Sequence, residues 1–111
     1  MSDCIFCKII AGDITSRKVY EDEDVYAFHD IHPMARVHFM IIPKLHIASL
    51  ADARPEHESL LGKMLLLAPG LAKEQGLESG FKTLINTGRG GGQEVFHIHI
   101  HVFGGGDPVR G

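Results

Sequence analysis

The chain has 111 residues, of which 44% are hydrophobic, enough for a single domain over residues 1–111 with a modest core. The formal net charge of −3, without any block of Lys or Arg, argues against nucleic acid as the main partner. No apolar run reaches the roughly 18 residues that a membrane span needs, and no secretory signal pattern opens the chain. We therefore expect a cytoplasmic protein that does not enter a membrane.

The N-terminal segment, residues 3–11, is predicted to form a short helix with Asp3 as N-cap and Gly12 as its stop. Cys4 and Cys7 form a C-x-x-C pair within it. Two cysteines are too few for a disulfide scaffold, and this spacing is more typical of a metal site or a redox site. The helix would present one apolar side, made of Ile5, Phe6, Ile9 and Ile10.

Three strands are predicted to follow this helix. Residues 18–21 and 25–30 flank an acidic turn and should pair as a hairpin, which Pro33 ends because proline restricts its predecessor and lacks an N–H donor. Residues 37–42 form a third strand that is too continuously apolar for an exposed edge. Pro43 closes this strand, and His46 follows in a loop.

A long helix is predicted to begin at Pro55, a residue suited to the first helical turn, and to end near Gln75, before Gly76. Pro69 cannot donate a hydrogen bond to the carbonyl of Leu65, so it is expected to kink or split the helix. The apolar side of this helix is broader than one small core needs, which favours a homodimer.

A fourth strand over residues 81–87 and a fifth over residues 97–103 complete the order α-β-β-β-α-β-β. This order predicts an α+β domain with a five-stranded, largely antiparallel sheet, one short N-terminal helix and one long helix. In the fifth strand, histidine and apolar residues alternate strictly. A period of two places the histidines on one face and the aliphatic residues on the other. The histidines are His97, His99 and His101, and the aliphatic residues are Ile98, Ile100 and Val102.

Such a row of imidazoles is compatible with phosphoryl or acyl transfer, with a metal site, or with a structural role. The preceding segment, residues 86–95, shifts the balance towards phosphoryl chemistry. Its glycine-rich loop would let backbone N–H groups approach an anion closely.

Five short runs occur in a fixed order along the chain. They are Ile-Phe-Cys-Lys-Ile-Ile at 5–10, Ala-Phe-His-Asp-Ile at 27–31, Ile-Pro-Lys-Leu-His-Ile at 42–47, Gly-Gly-Gln-Glu-Val at 91–95 and the histidine stretch itself. Together they resemble the histidine triad (HIT) superfamily, and within it the Hint branch. The resemblance extends from Cys4 to Gly105. It implies a HIT-like fold, a homodimer, and an enzyme that transfers or hydrolyses nucleotidyl groups.

The resemblance also implies a catalytic set of His97, His99 and His101 that needs no cofactor for its chemistry. His99 would attack the α-phosphorus and form a nucleotidyl-imidazole intermediate, since neutral imidazole is a good nucleophile near pH 7. One ring nitrogen of His99 would bond to the backbone carbonyl of His97. His101 would donate to a phosphate oxygen and stabilise the charge that develops there.

A purine nucleotide site is a further implication of the resemblance. Asp30 would accept the ribose hydroxyls, although the same residue could simply initiate the turn at Pro33. The phosphate region would be lined by Asn86, Gly92, Gln93, Glu94 and Val95. The purine would be enclosed by Ile5, Phe6, Ile9, Phe28, His29 and Ile31, of which the apolar members would be core residues in most proteins.

Some HIT proteins that carry this C-x-x-C pair bind zinc through residues that correspond here to Cys4, Cys7, His46 and His97. Such a Cys2His2 set suits a closed tetrahedral Zn²⁺ site with a structural role. It would hold His97 so that its carbonyl faces His99. The alternative is that the thiols stay reduced and free, with His46 and His97 hydrogen-bonded together.

The leading functional hypothesis is a hydrolase of purine nucleoside phosphoramidates. A dinucleoside polyphosphate hydrolase of the same superfamily is the enzymatic alternative. A zinc-stabilised nucleotide-binding or interaction module with little turnover, and a metallohydrolase with the three triad histidines as ligands, are alternatives from other classes. Glu94 stands where many relatives have a serine that assists the leaving group. The resemblance therefore does not imply which leaving group this chain selects.

Overall fold

In the computed structural model, which describes residues 3–105, two helices and five strands follow the predicted order. They are α1 (Ile5–Ile10), β1 (Lys18–Glu21), β2 (Val25–His29), β3 (Val37–Pro43), α2 (Glu58–Glu74), β4 (Lys82–Leu84) and β5 (Ile100–Gly104). Residues 1–2 and 106–111 of the predicted domain lie outside the described residues.

The five strands form one sheet in the order β1-β2-β3-β5-β4, and every neighbouring pair is antiparallel. The predicted α+β class and the predicted hairpin of β1 and β2 are therefore confirmed. β3 lies in the centre, between β2 and β5, and Phe39 and Ile41 on it are fully buried. This agrees with its apolar sequence, because a central strand is covered on both faces.

The period of two sorts the side chains of the sheet into two cores. On one face, Phe39, Ile41, Ile100 and Val102 pack against α2. On the other, Phe28 and Met40 pack against Phe6 and Ile9 of α1. The predicted separation of aliphatic and histidine faces is confirmed at β5, because Ile100 and Val102 belong to the α2 side while His101 pairs with Met40.

The acidic turn between β1 and β2 also anchors α2. The Asp22 carboxylate accepts hydrogen bonds from the backbone N–H groups of Asp24 and Val25, which is how aspartate commonly stabilises a turn. Lys63 of α2 lies 2.9 Å from Asp22 and 3.2 Å from Asp24. The hairpin and the helix are thereby held together at the sheet edge.

Several predicted ends were wrong. α2 begins at Glu58 and not at Pro55, because residues Pro55–His57 form a separate 3-10 turn. The N-cap of α1 is Cys4 and not Asp3, because the Sγ atom of Cys4 accepts from the N–H of Cys7 at 3.4 Å. β5 begins at Ile100 and not at residue 97, because its ladder with β3 stops at the pair of Ile41 and Ile100 and the Ile98 N–H instead bonds to the carbonyl of Ile47 at 2.7 Å. β4 is likewise shorter than predicted and ends at Leu84.

Pro69 lies inside α2 without splitting it. The proline is on the exposed side of the helix, and Leu65, whose carbonyl loses its helical partner, is 47% exposed, so water can bond to that carbonyl. Within residues 3–105, neither α1 nor α2 combines the length and apolar character needed to cross a membrane.

Candidate active site

His99 is held in one defined tautomer. Its Nδ1 lies 2.8 Å from the carbonyl oxygen of His97, so Nδ1 carries the proton and donates it to that carbonyl. The hydrogen bond expected from the family resemblance is present. The ring is only 6% exposed and meets the ring of Phe6 edge-on at 5.1 Å. Nε2 of His99 therefore keeps its lone pair.

His97 is fully buried, and its ring contacts the side chains of Cys4, Cys7 and His46. Its Nε2 lies 2.7 Å from the carbonyl oxygen of Pro43 and donates to it. In the neutral ring Nδ1 must then be an acceptor. This lone pair faces the Sγ atoms of Cys4 and Cys7, at 3.3 and 3.6 Å, and Nδ1 of His46 at 3.2 Å.

The four predicted metal ligands thus converge on one point. The donor atoms of Cys4, Cys7, His46 and His97 all lie within 4.8 Å of one another. A tetrahedral zinc ion with Zn–S of about 2.3 Å and Zn–N of about 2.0 Å requires ligand separations of roughly 3.3 to 3.8 Å. Four of the six distances between these atoms are 3.2 to 3.6 Å, close to this range. The donor set and its geometry fit a zinc ion.

His38 is a site residue that the sequence analysis missed. It is 3% exposed, and its Nδ1 accepts from the backbone N–H of Met34 at 3.0 Å, so its Nε2 carries the proton. That Nε2 lies 2.9 Å from Nδ1 of His101 and donates to it. The remaining proton of neutral His101 is consequently on Nε2. Asp30 lies beside the pair, with a carboxylate oxygen 3.4 Å from His38 and 3.9 Å from His101.

Asp30, His38 and His101 form a second group whose potential ligand atoms lie close together. This group differs from the cysteine cluster because the proton of His38 points into it. Within residues 3–105, the three triad histidines do not share a metal-ligand cluster, since His97 belongs to the cysteine cluster and His101 to the second group. This arrangement counts against a metallohydrolase that uses the triad as ligands.

Burial keeps the triad neutral at pH 7. Desolvation lowers the pKa of His97 to about 4, and the same cause, assisted by the neighbouring His99 and His38, lowers the pKa of His101 to about 4. Burial also lowers the pKa of His99, although the carbonyl of His97 opposes this shift. A neutral imidazole has the lone pair that nucleophilic attack requires, and it still keeps one N–H for hydrogen-bond donation.

The residues expected around the purine do not all lie on one side of the sheet, because Phe28 is on the α1 side whereas His29 pairs with Phe39 on the α2 side. Phe6, Ile9, Phe28 and Val95 belong to one apolar cluster, and the rings of Phe6 and Phe28 meet edge-on at 5.4 Å. His29 and Asp30 are half-buried at the end of β2, and Asn86 is half-buried after β4. In contrast, Ile5 and Ile31 are exposed by 46% and 85%.

Four N–H groups of the glycine loop are turned towards acceptors of the loop itself and not towards a ligand site. The N–H of Gly88 bonds to the side chain of Gln93, and that of Gly91 bonds to the Gly88 carbonyl. The N–H groups of Gly92 and Gln93 bond to the carbonyls of Arg89 and Gly88. These four donors are used within the loop, because Gly88 and Gly92 adopt positive φ angles that close it into a turn.

Glu94 is exposed and lines a cavity of about 470 Å³ next to the metal-ligand cluster. Phe96, which the sequence analysis did not select, also lines this cavity and is 43% exposed. The remaining lining residues are Asp3, Cys4, Ile5, His46 and Val95.

Comparisons with known proteins agree with this geometry. A family profile described as the C-terminal binding domain of the scavenger mRNA decapping enzyme matches residues 3–108. Protein HitA of Neisseria gonorrhoeae is 60% identical over 94% of this chain and 97% of its own length. The purine nucleoside phosphoramidase of Escherichia coli strain K12 is 46% identical over 93% of this chain and 87% of its own.

Solved structures of similar proteins share the fold. A HIT family hydrolase from Clostridium thermocellum superposes with a TM-score of 0.94 at 39% identity, covering 100% of this chain and 97% of that one. A zinc-bound histidine triad family protein from Mycobacterium smegmatis has a TM-score of 0.79 at 39% identity, covering 90% and 73%. The triad geometry, the fold and these similarities together show that the chain belongs to the histidine triad family.

Proposed function

We propose that this chain hydrolyses purine nucleoside phosphoramidates through a covalent nucleotidyl intermediate on His99. The observation that carries the proposal is the 2.8 Å hydrogen bond from Nδ1 of His99 to the carbonyl of His97. It leaves the lone pair of Nε2 available to attack phosphorus, in a ring that burial keeps neutral.

In the first step, Nε2 of His99 bonds to the α-phosphorus as the P–N bond breaks, and the leaving nitrogen takes a proton from solvent and departs as the free amine. Water then attacks phosphorus and gives up one proton to solvent, and the bond to His99 breaks to release the nucleoside monophosphate and the neutral imidazole. His101 donates from Nε2 to a phosphate oxygen in both steps, because His38 already occupies its Nδ1. No step requires either histidine to be charged beforehand.

The purine is assigned to the apolar surface formed by Phe6, Ile9 and Phe28, beside the triad. Asp30 is assigned to the ribose hydroxyls. One of its oxygens accepts the backbone N–H of His32 at 2.8 Å, and a carboxylate retains further acceptor sites beyond that bond. The name of the 46% identical relative, a purine nucleoside phosphoramidase, supports this substrate class.

Zinc is assigned to Cys4, Cys7, His46 and His97, with support from the ligand distances and from the zinc-bound histidine triad protein of M. smegmatis. The metal would supply no catalytic water, only a fixed link between α1 and the triad. His97 links the metal ligands to the nucleophile, because its ring faces the metal ligands and its carbonyl orients His99. The residues of this site would therefore contribute to catalysis only by positioning the triad.

A homodimer through α2 completes the proposal. Leu65 and Leu66 on the solvent side of this helix are 47% and 82% exposed, a costly arrangement for a free surface. A second copy of the chain, packed through the same helix, would bury both leucines.

The test is hydrolysis of adenosine 5′-phosphoramidate and of a diadenosine polyphosphate by the wild type and His99→Ala. We expect faster release of AMP from the phosphoramidate, and none above background from His99→Ala. Faster cleavage of the polyphosphate would favour the other hydrolase class. Nucleotide binding that survives His99→Ala, with negligible turnover by the wild type, would favour a binding module.

A further inference from the structure

The side chain of Gln93 is 5% exposed and is bonded within the protein at both polar atoms. Its Nε2 donates to the carbonyl oxygens of Ala48 at 2.8 Å and Val95 at 3.0 Å. Its Oε1 accepts from the N–H of Gly88 at 2.9 Å.

This arrangement conflicts with a direct role in phosphate binding. A phosphate oxygen requires a hydrogen-bond donor, and a glutamine side chain has two N–H donors. Both are already used by Ala48 and Val95. Contact with a phosphate would leave one of these carbonyls without its partner, which is unfavourable in a buried setting.

The three bonds instead join three segments of the site. Gly88 opens the glycine loop, Ala48 follows the metal-ligand candidate His46, and Val95 leads into the triad. The last two segments are tied once more by the bond from Ile98 N–H to the Ile47 carbonyl. Gln93 therefore lies at the junction from which the chain enters the catalytic histidines.

We propose that Gln93 is a positioning residue, which fixes the backbone at residues 94–95 and the approach to His97, and is not a phosphate ligand. This inference rests on the proposed function for its catalytic consequence. The hydrogen-bonded junction itself does not depend on turnover, so the two can fail separately.

The first test observes the side-chain amide of Gln93 by NMR in the wild-type protein. The chain contains only one other glutamine, Gln75, which provides an internal reference and is assigned with Gln75→Glu. We expect the Gln93 amide protons to exchange with solvent more slowly than those of Gln75, both without ligand and with saturating AMP. Equally fast exchange in the free protein, or loss of protection on adding AMP, would overturn the proposal.

The second test uses Gln93→Glu, with Gln75→Glu as a matched control. Glutamate keeps an acceptor for Gly88 but turns an oxygen towards two carbonyl groups, so the junction should loosen. We expect kcat to fall by roughly 10- to 100-fold with KM nearly unchanged, since a misplacement of about 1 Å can cost that much. The backbone N–H of Ile98 should also exchange faster.

A rise in KM alone, with unchanged exchange at Ile98, is the signature of a direct phosphate ligand and would refute the inference. If Gln93→Glu does not fold, Gln93→Met removes the same donors without adding charge, and the same two measurements apply. If neither variant folds, the wild-type NMR experiment decides. A wild type with no turnover but a protected Gln93 amide would contradict the proposed function and leave the junction intact.

Discussion

Replacing His38 by phenylalanine tests how the donor on His101 is set. In the wild type, His38 donates to Nδ1 of His101 at 2.9 Å, which leaves the His101 proton on Nε2, towards the substrate. Phenylalanine preserves the ring but removes this donor. The favoured tautomer of His101 then carries its proton on Nδ1, which faces Asp30 at 3.9 Å. His101 would present a lone pair to the phosphate oxygen.

The expected loss in kcat for His38→Phe is about 10²- to 10⁴-fold, the range found when a positioned proton donor is removed. His38→Gln is the informative partner, because the glutamine amide can place an N–H where Nε2 of histidine lies. It should retain activity to within about tenfold. The assay is steady-state release of AMP from adenosine 5′-phosphoramidate, with His32→Gln, an exposed loop histidine, as control.

Both His38 variants also require a stability measurement, since His38 is buried. In His38→Phe the backbone N–H of Met34 loses its acceptor, which costs about 1 to 3 kcal/mol in the free energy of unfolding. Urea denaturation would register this cost separately from kcat. If folded His38→Phe retained kcat within threefold of the wild type, the tautomer argument for His101 would be wrong.

Three further predictions concern pH, metal and assembly. Because burial lowers the pKa of His101 to about 4, the unfolded chain takes up this proton at a higher pH than the folded chain. The contribution of His101 to the free energy of unfolding should fall by about 2 kcal/mol between pH 7 and pH 5, and in urea titrations His101→Gln should reduce the total fall by that amount. Cys7→Ser should lose zinc measured by atomic emission and lower activity roughly 10- to 100-fold; full zinc retention would remove Cys7 from the ligand set. Leu66→Glu should shift the sedimenting species from dimer to monomer, whereas Leu50→Glu, also exposed, should not.

The two faces of β5 were predictable from the sequence because alternation along a strand is a local property. Ile100 and Val102 had to face one side and His101 the other, whatever the neighbouring strands were. The order of elements and the antiparallel class followed from similar local signals.

Contacts that depend on strand register were beyond the sequence. His38 meets His101 only because β3 and β5 pair with Met40 opposite His101, which places His38 diagonally across from it. The sequence predicts that His38 and Met40 share one face of β3, because they are two residues apart. It does not indicate which strand pairs with β3. The β3–β5 ladder stops at the pair of Ile41 and Ile100, which leaves His97 outside β5, and this too depends on the pairing of the strands.

The arrangement of the glycine loop was not predictable for a different reason. A run of glycines indicates conformational freedom, and that freedom can either expose N–H groups to an anion or turn them inward. Here Gln93 supplies an internal acceptor for Gly88, and the loop closes. Composition alone does not distinguish the two arrangements.

The most direct test of the central claim is the intact mass of the protein after mixing with adenosine 5′-phosphoramidate and quenching under mildly alkaline conditions. The lone pair on Nε2 of His99 predicts an added adenylyl mass in the wild type, with AMP accumulating, and neither in His99→Ala. AMP released by His99→Ala at the wild-type rate would contradict a nucleophilic role for His99. Wild-type protein that forms neither the adduct nor AMP would contradict the enzyme assignment for this substrate.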